Sequence, residues 1–353
     1  MSNTHWMIYG ANGYTGRLVA EEAQRQGLTP ILAGRNPASL HALGSVLGLE
    51  CRVFDLADRD ATHAALNGVA VVANCAGPFS ATAAPMIEAC IASGAHYVDI
   101  TGEISVFEHA HGLDEVARAA GIALCPGVGF DVIPTDCIAA CLKEAMPEAT
   151  HLALGFDTGS GLSPGTAKTT VEGLKLGGKI REAGQLRDVP LGYKRRDIDF
   201  GRGLKHAVTI PWGDVATAFY STGIGDIEVY LPVPPAAAIG MRAMDKLRPL
   251  LGRERVQEWL KAQVDKRVAG PDELTRSRLR TWVWGEVRNA RGERRTARLE
   301  TANGYDVTIH GVLLAVRHLL AQPGAAGYFT PSKLFGARCV EQLPGSGGIA
   351  IRG

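Results

Sequence analysis

The feature that most constrains this chain is the run Tyr9-Gly10-Ala11-Asn12-Gly13-Tyr14-Thr15-Gly16-Arg17, which follows a short apolar strand, His5 to Tyr9, and opens an amphipathic helix, Gly13 to Gln26. The start of a helix presents N–H groups without intrahelical partners and the positive end of the helix dipole, so it attracts anions. Side chains in the turn hold a phosphate away, and glycine removes them. The spacing is GxxGxxG, a variant of the GxGxxG device that seats a dinucleotide pyrophosphate. Gly10, Asn12, Gly13, Tyr14, Thr15 and Gly16 are therefore the first cofactor-contact candidates.

Short apolar strands recur through the first 130 residues, at Pro30 to Ala33, Cys51 to Asp55, Val69 to Asn74, Ala95 to Asp99 and Ile122 to Pro126. Helix-length stretches separate them, with further helices expected from Pro85 to Ser93 and from Ser105 to Ala120. Strand and helix in strict alternation specify an α/β fold, here an N-terminal Rossmann doubly wound parallel sheet over residues 1–130.

Such sheets meet their ligands at the carboxyl ends of the strands. An acid at the end of the second strand, roughly 20 residues past the fingerprint, accepts the ribose hydroxyls of NAD. Here that stretch reads Ile31-Leu32-Ala33-Gly34-Arg35-Asn36, without an acid. Arg35 instead offers a guanidinium to a 2′-phosphate, so NADP is expected over NAD, with Asn36 beside it. The competing reading of Arg35 is a solvated residue ahead of the next helix. Asp55 and Leu56 end the third strand near the adenine edge, and Ala76, Gly77, Pro78 and Phe79 end the fourth beside the pyrophosphate and nicotinamide ribose.

After Gly127 the alternation loosens. A helix from Asp131 to Ala145, a strand from His151 to Phe156, a helix from Pro164 to Ala183, and strands from His206 to Ile210 and Asp226 to Leu231 come next. Helices from Ala236 to Leu251 and Glu254 to Lys266 follow, then a hairpin turning at Ala290-Arg291-Gly292 and a closing helix from Gly304 to Leu320. The expected second domain, residues 131–325, is an α+β substrate and dimerisation domain. The tail, 326–353, is expected to pack back near the Rossmann domain through Leu334, Phe335 and Val340. Lys194-Arg195-Arg196 reads as a solvated loop, and Trp282 and Trp284 as packing residues on a strand.

Length and charge fit this organisation. The 353 residues, 46% hydrophobic, suffice for two cores. A net charge of +1 leaves no footprint for nucleic acid or an anionic membrane, which favours a small-molecule substrate. No segment has the roughly 18 consecutive apolar residues of a membrane span, and the N-terminus lacks a secretory pattern. Seven scattered cysteines without a CxxC pair suggest a reducing cytoplasm and no metal.

Hydride transfer leaves the protein few chemical tasks beyond positioning and one proton. The catalytic candidates are Asp131, after a glycine-rich turn at the end of the sixth strand, and Glu103, at the end of the fifth. Each is also placed to cap the helix that follows it. Thr166 and Lys168, at a helix start that suits a carboxylate or a carboxamide, and Asp214, on a turn beside Trp212, complete the set.

With these residues assembled, the chain resembles the saccharopine dehydrogenase-like NADP-binding oxidoreductase family, which is related to the trans-acting enoyl reductases of bacterial lipid synthesis. The matching pieces are Gly10 to Leu18, Ala33 to Asn36, Asn74 to Phe79, Tyr97 to Glu103 and Pro126 to Asp131, with Ser163 to Ala167, Gly213-Asp214 and Ser221 to Ile224 in the second domain. The resemblance implies reduction of a C=O, C=N or C=C substrate between the domains. Enoyl reduction in lipid synthesis and a non-catalytic NADP-binding sensor or interaction protein are the alternatives. A homodimer through the second domain's sheet is an expectation from fold class alone.

Overall fold

The computed structural model describes residues 5–159, 164–173, 176–267, 270–322 and 324–353. The chain divides into two units: Met1–Asp131 with Tyr305–Phe335, and Val132–Gly304 with Gly336–Gly353.

The first unit begins with six strand and helix alternations. They are β1 (Trp6–Tyr9), α1 (Tyr14–Arg25), β2 (Ile31–Gly34), α2 (Pro37–Leu47), β3 (Cys51–Val53), α3 (Arg59–Ala65), β4 (Val71–Asn74), α4 (Phe79–Ser93), β5 (His96–Asp99), α5 (Ile104–Gly112), α6 (Asp114–Ala120) and β6 (Ala123–Cys125). Strands β1, β2, β4 and β5 are buried at every residue, as an apolar run must be when helices cover both faces of a parallel sheet. The order is β3-β2-β1-β4-β5-β6, and every pairing is parallel. Strand order reverses between β1 and β4, which makes the loops after them the switch point where such sheets hold ligands.

Two helix boundaries differ from the sequence expectation. Helix α4 starts at Phe79 and carries Pro85 inside it, because a carboxylate from another loop satisfies its first amides. The expected helix from Ser105 to Ala120 is broken at Leu113 into α5 and α6.

The second unit holds α7 (Ile133–Ala145), β7 (His151–Thr158), α8 (Pro164–Gly173), β8 (Gly178–Glu182), β9 (Gln185–Val189), β10 (Arg195–Asp199), β11 (Leu204–Thr209), α9 (Asp214–Thr222), β12 (Asp226–Pro232), α10 (Pro235–Lys246), α11 (Arg248–Leu251), α12 (Glu254–Arg267), α13 (Glu273–Arg278), β13 (Arg280–Arg288) and β14 (Arg294–Ala302). Its mixed sheet runs β10-β11-β12-β7-β13-β14, with β8 on β12 and β9 on β8. Helix α7 packs on β7, β13 and β14, and a methyl group at Gly285 would fall 2.4 Å from Ile138. Trp284, Tyr230, Phe200, Ile198 and Ala207 form a cluster with Trp282 packed against it.

The expected helix from Pro164 to Ala183 ends at Gly173. Residues Gly178–Glu182 are a strand whose hairpin to β9 turns at Ala183 and Gly184, both at positive φ. Arg195 and Arg196 lie on β10 instead of a solvated loop: Arg196 hydrogen-bonds Glu286 and lies 4.8 Å from the Trp284 ring.

The last segments distribute differently from the sequence expectation. The helix Gly304–Ala321 clusters from Tyr305 onward with the first unit, and the strand Gly327–Tyr328 extends the first sheet beside β6. Gly336–Gly353 clusters with the second unit, where Ala350–Arg352 pairs with β14. Among the described residues no helix is long and apolar enough to cross a membrane.

Candidate functional site

Backbone packs directly on backbone at the turn after β1. The amides of Gly10 and Ala11 both donate to the Ala33 carbonyl, at 2.8 and 3.1 Å, tying the turn to β2. Gly10 sits at φ +81, and a Cβ there would lie 2.8 Å from the Ala76 nitrogen. A Cβ on Gly16 would lie 2.3 Å from the Gly10 carbonyl oxygen. Gly13 is the N-cap of α1, so no capping side chain stands at that position, and the first turn carries no acid. Asn12 is exposed and donates to Ser39 Oγ, while Thr15 and Tyr14 are half-buried, Tyr14 edge-on to Tyr305 at 5.0 Å.

The ends of β2 and β3 meet around one residue that sequence reasoning left out. Tyr9 is 2% exposed and packs against Phe54 in a tilted pair, ring centroids 5.0 Å apart. Burial and the Asp55 carboxylate raise its hydroxyl's pKa, while the Arg35 guanidinium and an N–H from Leu56 act in the opposite direction. Arg35, Asp55 and Leu56, separated in sequence, are thus gathered around one phenol. Arg35 and Asp55 are exposed, Leu56 is buried, and Asp55 also accepts the Ala57 N–H. Asn36 is the N-cap of α2, its Oδ1 accepting from the Ser39 N–H at 3.1 Å. A Cβ on Gly34 would approach Asn12 Oδ1 to 2.9 Å.

Beneath the ends of β4, β5 and β6 lies a buried polar network. Asn74 Oδ1 accepts the Ala76 N–H, and its Nδ2 donates to Thr82 and to Tyr97. Tyr97 donates to Asp99 at 2.7 Å, and the other Asp99 oxygen accepts from the amides of Thr101 and Gly127. Burial pushes the Asp99 carboxyl up to about 6 against these donors. Cys75 is pushed up to about 12 by burial and Asp99, so its thiol stays protonated.

Glu103 serves the neighbouring turn. One carboxylate oxygen accepts the Phe79 N–H and the other the Ser80 N–H, both at 2.8 Å, so it closes the start of α4. It is the N-cap residue of α5, yet its side chain does not cap that helix. Phe79 itself is buried, Ala76 and Pro78 are half-buried, and Gly77 is exposed.

Asp131 stands beside the same loop. A Cβ on Gly102 would lie 2.8 Å from its Oδ2. Burial pushes the Asp131 carboxyl up to about 7, although the residue keeps part of its surface. It does not begin the next helix, since α7 starts at Ile133 with Val132 as N-cap. Thr308 accepts the Phe130 N–H at 3.0 Å, so the helix that follows Gly304 holds this turn. A threonine 178 positions away carries no local signal of that contact.

The remaining candidates lie in the second unit. Ser163 and the Thr166 side chain fall outside the described residues. Lys168 is half-buried on α8, which packs against α12. Asp214 is fully buried in the first turn of α9, which packs on α7, β8 and β12. Trp212 packs against Phe156 with the rings tilted, centroids 4.8 Å apart, and Ser221 donates to the buried Asp136. Among the described residues no group of three metal-ligating side chains occurs.

Residues 6–125 match the family model described as the saccharopine dehydrogenase NADP binding domain. The human saccharopine dehydrogenase-like oxidoreductase is 29% identical over 236 residues, covering 57% of this chain and 54% of that protein. A trans-acting enoyl reductase from Mycobacterium leprae is 33% identical over 138 residues, 37% of this chain and 33% of its own. The matches thus span about half or less of these relatives' lengths. Among solved structures, apo saccharopine dehydrogenase (L-Glu forming) from Saccharomyces cerevisiae superposes with a TM-score of 0.66 at 12% identity, covering 99% of each chain, a likeness of fold.

Proposed function

We propose that this chain, whose residues 6–125 match the saccharopine dehydrogenase NADP binding domain, is an NADP-dependent oxidoreductase that transfers hydride to a C=O, C=N or C=C substrate. One observation carries the cofactor reading. At Gly10 and Gly16 an added Cβ would strike backbone, so the turn closes at the start of the helix only with glycine at these two positions. Such a turn lets a pyrophosphate come within hydrogen-bond range of α1.

In this reading Gly10, Asn12, Gly13, Tyr14, Thr15 and Gly16 hold the pyrophosphate. Arg35 reaches the 2′-phosphate, with Asn36 fixing the following helix so that Arg35 stays at the sheet edge. Asp55 and Leu56 border the adenine, and Ala76, Gly77 and Pro78 pass beside the nicotinamide ribose. Bound NADPH supplies the hydride. Asp131 holds the proton that balances it, since a carboxyl titrating near 7 is protonated in a useful fraction of molecules at neutral pH. Glu103 keeps the α4 turn in shape and has no proton-transfer role. Thr166, Lys168 and Asp214 are the second unit's candidates for holding the substrate.

The similarity to a trans-acting enoyl reductase makes a conjugated C=C bond the first acceptor class to try. Calorimetric titration with NADPH and NADH, followed by an acceptor screen that monitors loss of the reduced nicotinamide, tests the proposal. Tight NADPH binding with weak NADH binding and turnover of one acceptor class supports it. Binding without turnover on any acceptor, together with a protein partner that binds only the NADP-loaded chain, favours the sensor alternative. Binding of neither nucleotide removes the cofactor reading altogether.

A further inference from the structure

Cys137 and Cys339 lie 202 positions apart in sequence, yet their sulfurs are 3.4 Å apart in the second unit. Cys137 sits on α7, and Cys339 opens the 3-10 turn Cys339–Gln342. Both are buried, at 0% and 1% exposure. One helical turn on, Cys141 Sγ donates to the Ala337 carbonyl, also at 3.4 Å. The segment from Gly336 onward is thus laid on α7 through sulfur at two successive turns.

Thiols are weak hydrogen-bond donors, so this contact contributes little as it stands. Its geometry is that of a dithiol one step short of a bond. Closing to the usual S–S length of about 2.05 Å needs the two sulfurs to approach by about 1.4 Å. We propose that Cys137 and Cys339 are an oxidation site that forms a disulfide and staples the segment Gly336–Gly353 to α7.

A hydroperoxide of the hydrogen peroxide class is the oxidant. One thiolate attacks a peroxide oxygen: an S–O bond forms, the O–O bond breaks, and the departing hydroxide takes a proton to become water. The second thiolate then attacks that sulfur, the S–S bond forms, the S–O bond breaks and a second water leaves. Two thiols lose two electrons in all, and one peroxide becomes two waters. Burial pushes the Cys137 thiol well up, so it is protonated in the closed state. The reaction is therefore slow until the segment loosens, and mild denaturant accelerates it.

The test treats the full chain with hydrogen peroxide, with and without sub-denaturing urea, and maps cysteines by mass spectrometry after trypsin digestion. The peptide of residues 119–143 also holds Cys125 and Cys141, so fragmentation and a Cys141→Ser variant assign the linkage. A Cys137–Cys339 cross-link that survives Cys141→Ser, is lost in Cys137→Ser and Cys339→Ser, forms faster in urea and raises Tm is the expected result. Recovery of Cys137 and Cys339 as free thiols or as separate sulfinic acids overturns the proposal, as does a cross-link to Cys125 or Cys141 in their place. The wild-type map decides this even if a serine variant fails to fold.

Discussion

Two helix starts stand side by side at the carboxyl edge of the first sheet, and they are built oppositely. The start of α1 follows β1 and is made of glycine, with backbone stacked on the β4 loop so closely that Gly10 and Ala76 leave no room for a methyl group. The start of α4 follows β4, and its first two amides are held by both oxygens of Glu103. Each start has the dipole and the amides that attract an anion. One anion is already part of the protein at α4, whereas α1 has only glycine at its N-cap. The local sequence gives both helices the same promise, and a carboxylate from a third loop separates them.

The largest expected effect comes from filling the α1 turn. Gly16→Ala places a Cβ 2.3 Å from the Gly10 oxygen and 3.0 Å from the Ala11 Cα, all backbone, with no flexible side chain to yield. Stability should fall by about 1–3 kcal/mol, as overpacking does. Bound NADPH should become undetectable by calorimetry in protein that a urea melt shows to be folded. NADPH affinity retained in folded Gly16→Ala would remove α1 as the pyrophosphate site and with it the contrast between the two starts.

Next in size is Arg35→Ala. A charge-assisted hydrogen bond to a phosphate contributes about 1.5–3 kcal/mol, so NADPH affinity should drop by roughly ten- to a hundredfold. NADH affinity should hold, because NADH lacks the 2′-phosphate. Equal losses for both nucleotides would mean that Arg35 acts through the fold of the β2 turn.

The legibility of these features follows their range in sequence. Strands β1, β2, β4 and β5 were readable because parallel strands covered on both faces must be short apolar runs, and the glycine turn because its constraint is local. Arg35 and Asn36 stood out for the same local reason, though the Asn36 carboxamide turns out to cap α2. The partners of Glu103 were not legible, because the amides its carboxylate binds lie 24 and 23 positions away and come near only once β4 and β5 pair. Tyr9 read as one more apolar strand residue, its hydroxyl hidden behind its ring. The β8 strand alternates polar and apolar residues too briefly to be told from a helix end. The helix after Gly304 follows the second unit in sequence and clusters with the first, a reversal that no periodicity encodes.

The polar floor under the α4 side should show itself through pH. Asp99, 1% exposed, has a folded pKa raised to about 6 from the ordinary 3.8, so the native state keeps a proton that the unfolded chain releases between those values. Its contribution to stability is full below about pH 4, declines as pH rises toward 6, and is constant above. At about 1.4 kcal/mol per unit this amounts to about 3 kcal/mol. Asp131, raised to about 7, extends the decline upward in pH. Urea midpoints from pH 4 to 8 should fall through this window in the wild type and less steeply in Asp99→Asn. An unchanged slope would show that the donors from Tyr97, Thr101 and Gly127 hold Asp99 ionised throughout.

The smallest change is the most discriminating for the two starts. Glu103→Gln removes the charge at α4 and leaves one carbonyl oxygen for two amides, which should cost about 1–2 kcal/mol of stability. If Glu103 only closes that start, NADPH affinity should stay within a few-fold of wild type, and kcat on any acceptor found should follow the modest loosening of the turn. Its pH profile should stay unshifted, because the proton assigned to Asp131 is still in place. A loss of kcat with stability and NADPH affinity intact, and a pH limb that disappears, would instead make Glu103 a reacting group. Asp131→Asn is the matched control, since in the present assignment that substitution removes the limb while both helix starts remain as they are.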